Sequence, residues 1–141
     1  MTQTELKIIQ EFKQAQLALV QGEPKTFVVT ATASYIPMDQ FRLIFNRIGD
    51  FVKSHQIVKL IFDKRQLRVF HQPSMEWYFV EWKNEMFELG LTKHIKILPN
   101  DEVFRQSVKI GRKKINELYP NGKFHQLSIL YAETLEEALM L

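Results

Sequence analysis

An α/β fold, with one mixed sheet covered by helices, is predicted by three features of this sequence. Apolar residues alternate in short runs through the opening third. From Thr26 to the end, strand-like runs alternate with helical periods. Gly, Pro or a capping residue stands at most of the boundaries between them. Short connections between alternating strands and helices favour right-handed crossovers, while the opening runs favour an antiparallel meander.

Leu6 to Phe12 and Gln16 to Gln21 read as the first two strands, Leu17 and Leu19 alternating with smaller neighbours. Thr26 to Ser34 is rich in β-branched residues and reads as the third. Gly22-Glu23-Pro24-Lys25 reads as the turn before it, since Gly permits positive φ and Pro fixes its own. Glu5 to Leu19 also fits a helical pattern, so the meander is the simpler of two readings.

Pro37 stands where a helix begins without losing a hydrogen bond, and Asp39 suits its first turn. Phe41, Ile44, Phe45, Ile48 and Val52 then recur at helical spacing until Ser54-His55. Ile57 to Phe62 is mostly apolar, the pattern of a strand buried on both faces. Lys64 to Gln72 is a connection in which Leu67, Val69 and Phe70 pack locally.

Pro73 opens a second helix. Met75, Tyr78, Phe79, Trp82, Met86 and Leu89 follow its period, Trp77, Val80 and Phe87 widen its apolar surface, and Gly90 stops it. Such a helix must be covered by more than the sheet, or it presents aromatic surface to something else. His94 to Leu98 is a short strand. Pro99-Asn100-Asp101 leads into a third helix carrying Val103, Phe104, Val108, Ile115 and Leu118, which Pro120-Asn121-Gly122 ends. Leu127, Ile129 and Tyr131 alternate as a last strand, and Thr134 with Glu137 makes a capping box for a terminal helix of Leu135, Ala138 and Leu139. No repeat, low-complexity tract or linker interrupts the pattern, so residues 1–141 are expected to form one domain.

A chain of 141 residues buries roughly two thirds of its unfolded surface around one core without help from disulfides. It has no cysteine, which fits a reducing compartment, and Met1 to Glu5 lacks the basic and apolar segments of a secretory signal. A cytoplasmic location is expected. The charge-free stretch Thr26 to Met38 is too short and polar to span a bilayer. A net charge of +3 is too small an excess to indicate a polyanion partner.

Chemistry concentrates where the apolar strand ends. Asp63, Lys64 and Arg65 follow Phe62, at the kind of strand end where open α/β sheets dock ligands. Arg65 suits bidentate capture of a carboxylate or phosphate, with Asp63 orienting it and Arg68 in support. The competing reading is an Asp63–Arg65 lock on the departing chain. Ser74 near the helix start is most economically its N-terminal cap. Trp82, Phe79 and Met86 belong to the core stripe. Trp77 lies off it and suits either core or a partner groove.

Arg105, Lys109, Arg112, Lys113 and Lys114 carry no acid among them and read first as a solvated helix face. Neither a helix-turn-helix nor an RNA-binding aromatic signature accompanies them, so nucleic acid is not the expected partner. His55, His71, His94 and His125 are scattered without ligand spacing, so no metal is expected. No nucleophile elbow or phosphate-cradling loop occurs, and no cofactor is expected.

Leu60-Ile61-Phe62-Asp63-Lys64-Arg65, the helix with Trp77 and Trp82, Gly90-Leu91 before a strand, and the ending Thr134-Leu135-Glu136-Glu137-Ala138-Leu139 together resemble the STAS-like proteins, the fold class of bacterial anti-sigma-factor antagonists. The likeness covers about Thr26 to Leu141. It implies a sheet with helices on one side, and binding of proteins or small ligands rather than turnover. Signalling members carry a phosphorylatable Ser in an Asp-Ser-Ser-Gly-like motif, which the stretch Asp63 to Ser74 lacks, so the phosphoswitch does not transfer.

The expectation is therefore a non-catalytic binding or regulatory module of STAS-like type, with Asp63, Arg65, Ser74 and Trp77 as its working surface and a protein or small molecule as its partner. Other readings are a small-molecule or lipid-binding domain with an apolar pocket between the aromatic helix and the sheet, an enzyme using Asp63 as acid or base, and a homodimer formed through exposed aromatics or an edge strand.

Overall fold

Six strands form one sheet in chain order: β1 (Leu6–Glu11), β2 (Ala15–Val20), β3 (Glu23–Ala31), β4 (Lys59–Asp63), β5 (Lys93–Ile97) and β6 (Ser128–Ala132). The computed structural model describes residues 6–141, and Met1 to Glu5 lie outside the described residues. β1–β2 and β2–β3 pair antiparallel, and the pairs from β3 to β6 are all parallel. The mixed sheet and its opening meander match the sequence reading.

The turn between β2 and β3 is tighter than its composition indicates. Val20 pairs with Glu23, so Gln21-Gly22 alone reverses the chain and Pro24 and Lys25 fall inside β3. Gly22 has φ +82°, a conformation that favours glycine and that a type II turn places at its second central residue.

Helices make the parallel crossovers. α1 (Met38–His55) joins β3 to β4. Three consecutive segments join β4 to β5: α2 (Gln72–Trp77), a π turn (Tyr78–Trp82) and α3 (Lys83–Glu88). α4 (Glu102–Leu118) and a 3-10 turn (Lys123–Gln126) lead to β6, and α5 (Leu135–Met140) closes the chain. Local signals set several ends. Asp101 accepts the Phe104 N–H at 3.2 Å, and Thr134 accepts that of Glu137 at 3.1 Å. Glu137 reaches back to the N–H of Glu133 instead of Thr134, a capping box displaced by one residue.

The sheet is buried on both faces, with a separate cluster on each. On one, Leu17, Phe27, Val29, Leu60 and Phe62 meet Phe45 and Ile48 of α1, Phe79 and Trp82 of the π turn, and Phe104 and Val108 of α4. On the other, Val28, Ile61, Ile95 and Ile97 meet Ala138 of α5, with Leu135 and Leu139 at its margin. The resemblance implied helices on one side only. Here the alternation of Ile61 with Leu60 and Phe62 leaves a second apolar face, and α5 covers it.

Two helices depart from their expected periods. In α4 the buried stripe runs through Phe104, Val108, Gly111 and Ile115, leaving Val103 and Leu118 exposed one position off it. The second helix is interrupted by the π turn, where the Lys83 N–H bonds to the Tyr78 carbonyl five residues back. The wider turn brings Lys83 fully inside, and Leu89 is left exposed. Trp82 donates its indole N–H to the Phe45 carbonyl at 2.7 Å, tying the π turn to α1.

Candidate functional site

β4 delivers the chain to the rim of a half-open cavity. Lys64 extends the parallel ladder by donating its N–H to the Ile97 carbonyl at 2.8 Å, and Phe62 and Lys64 form the sheet side of the wall. Phe41 of α1, Leu67 and Phe70 of the connection, Met75 and Tyr78 of the aromatic helix, and Phe104 of α4 form much of the rest. The cavity volume is about 50 Å³, above the roughly 10–15 Å³ that one water needs. A small ligand group therefore fits without moving a wall.

The polar groups of this cavity are few. Lys64 is 8 % exposed, and its ammonium lies 4.8 Å from the centre of the Phe62 ring. Among the described residues no carboxylate pairs with it. Burial lowers its pKa to about 8. It therefore remains mostly protonated at neutral pH, an uncompensated cation against apolar walls. His71, Ser74 and Tyr78 supply the other polar atoms, and burial pushes the Tyr78 hydroxyl pKa upward.

The four residues singled out from the sequence do not converge. Asp63 is buried and holds Arg65 through two parallel bonds, Nε to Oδ1 at 3.0 Å and Nη2 to Oδ2 at 2.7 Å. The half-exposed Arg65 borders a separate open groove with Arg68, Asp101, Arg105 and Glu133. Ser74 lies in the cavity wall, but it is not the cap. His71 is, its Nδ1 accepting the Ser74 N–H at 3.3 Å, with the Ser74 Oγ 2.8 Å from the same nitrogen. Trp77 is half-buried in a third, surface groove, edge-on to Phe41 at 6.1 Å and with the Arg42 guanidinium 5.7 Å from its ring.

Sequence reasoning passed over Lys64 as a cavity residue and missed a second cluster altogether. β5 reads Lys93-His94-Ile95-Lys96-Ile97, and its pleat puts His94 and Lys96 on the face under the aromatic helix. Lys83 meets them from above. The Lys83 and Lys96 ammonium nitrogens lie 3.7 and 4.4 Å from the Phe79 ring centre. Among the described residues, both amines and both His94 ring nitrogens are buried without a hydrogen-bond partner. Burial first, and neighbouring positive charge second, lower all three pKa values well below their ordinary range. Two polar residues at alternate positions of a strand covered on both faces were the available signal.

The remaining candidates sit elsewhere. Arg105, Lys109, Arg112 and Lys113 line an open groove beside Tyr131, whose hydroxyl is 3.1 Å from Arg112 Nη1. Among the described residues no group of three or more His, Cys, Asp or Glu is placed to hold a metal, and no helix is long and apolar enough to cross a membrane. Fold and site together define an α/β protein with an amphipathic cavity at the end of a central parallel strand. No family model matches the chain, and neither a curated protein nor a solved structure matches it.

Proposed function

We propose that this chain is a non-catalytic binding module that seats the acidic group of a small apolar molecule in the cavity between β4 and the aromatic helix, the apolar part lying at its open side. One observation carries the reading: Lys64 is a buried cation, unpaired among the described residues, in an otherwise largely apolar wall. The aromatic walls supply affinity by excluding water, and the ammonium supplies orientation by a charge-assisted contact. His71, Ser74 and Tyr78 add polar atoms for a second anchor. The STAS-like resemblance points the same way, toward ligand or partner binding in a bacterial cytoplasm rather than turnover. The Asp63–Arg65 pair, on either side of Lys64 in the chain, is assigned to positioning it.

Calorimetric titration with isovalerate, hexanoate and benzoate tests the proposal, with benzamide as the neutral control. Binding of at least one acid is expected, with the amide much weaker and the Lys64→Met variant folded but unable to discriminate. Equal affinity for benzoate and benzamide, or no binding of any acid, would overturn it.

A further inference from the structure

The Lys83–Lys96 pair is a more severe electrostatic anomaly than the cavity. The two amines are 0 % and 1 % exposed and share the Phe79 ring, and among the described residues no acceptor outside the pair stands beside them. His94, on the same face of β5 as Lys96, has two more unpartnered nitrogens. The other charges acting on the pair, Lys64 and Arg112, are also positive. Burial away from any anion disfavours the ammonium form of each, so the pair rests as two neutral amines near neutral pH. A hydrated anion such as phosphate cannot reach so sealed a pair without opening the core. The missing negative charge is more readily formed in place, from a neutral reagent.

We infer that the Lys83–Lys96 pair is a carbon dioxide site, at which one amine becomes a carbamate and the other takes up the released proton. The neutral Nζ lone pair attacks the carbon of CO₂, a new N–C bond forms, and one C=O π bond becomes the carboxylate. The proton lost from the attacking nitrogen passes to the partner amine. Atoms and charge balance, with two neutral amines and CO₂ giving –NH–COO⁻ and –NH₃⁺ side by side. CO₂ is small and uncharged, so it enters an apolar core that excludes ions. The product supplies the anion that the surrounding positive charges lack, and its oxygens accept from the ammonium and from His94.

The test is ¹³C NMR of the full chain in buffer equilibrated with ¹³CO₂, a readout that needs no reagent to enter the core. Free valine in the same tube is the control that carbamates form under these conditions. A protein carbamate resonance distinct from those of valine and bicarbonate is expected. Both Lys83→Met and Lys96→Met are expected to abolish it, one by removing the carrier and the other by removing the proton acceptor. A valine carbamate signal with no such resonance from the unmodified chain would overturn the inference, whatever the variants do. Persistence of that resonance in either Met variant would overturn the paired transfer. Neither result bears on the acid-binding cavity, whose titration is read separately.

Discussion

Arg65 grips Asp63 across a single intervening residue, with both carboxylate oxygens engaged at 3.0 and 2.7 Å and the Arg65 backbone N–H on the same carboxylate at 3.1 Å. The residue between them is Lys64. The clamp fixes the chain as it leaves β4, while the pleat turns Lys64 toward the cavity and away from its neighbours.

Replacing Arg65 with Ala leaves a buried carboxylate short of its two side-chain donors. Because the guanidinium itself is half-exposed, the expected loss is about 1–3 kcal/mol, measured by urea unfolding. An unchanged unfolding midpoint would release Arg65 from the positioning role and return it to the list of ligand contacts.

Stability should rise with pH from neutrality to about pH 10. Lys64 titrates near 8 in the folded chain against 10.5 when unfolded, so across that window the unfolded state binds more protons and raising the pH favours folding. Lys83 and Lys96, lowered further, carry the same sign to lower pH. His94, lowered below 6.5, adds a loss of stability on acidification through that value. Tyr78, raised above 10.0, reverses the trend at higher pH, because only the unfolded chain ionises it readily. Thermal midpoints from pH 6 to 11 measure the curve, and a fall between pH 7 and 9 would mean the buried amines are charged and compensated.

Lys83→Met and Lys96→Met should each stabilise the chain in CO₂-free buffer at neutral pH, by about 1–3 kcal/mol, since an unbranched apolar side chain replaces an unsatisfied buried amine. The pH curve should also flatten in both variants. Denaturant midpoints at pH 7 and pH 9.5 provide the check, and destabilisation at both would show that the amines have partners.

Gly111→Ala tests the cavity from behind. A Cβ there would collide with Gln72 Oε1 and lie 2.8 Å from Phe70 Cζ, so the Phe70 ring in the cavity wall must move. Overpacking of about 1–3 kcal/mol is partly offset by the helix preference for Ala, of about 0.5–1 kcal/mol. Acid binding should therefore fall more than stability, which paired calorimetry and unfolding would reveal.

Much of the architecture was legible in the sequence because it is encoded locally. The stripe from Phe41 to Val52, the caps at Asp101 and Thr134, the stop at Gly90 and the apolar run into Phe62 each depend on neighbours within about one helical turn or one strand. Asp63 and Arg65 are two residues apart, so their pairing was among the readings available from the start. Lys83, His94 and Lys96 come together only because a crossover lays the aromatic helix over β5, with a π turn that sets which side of the helix faces inward. Lys64 is a cavity cation for the same reason, since the walls around it come from α1, the connection, α2 and α4. Periodicity determines which residues are buried. What each buried charge meets there is decided by distant segments, and a single strand or helix carries no record of them.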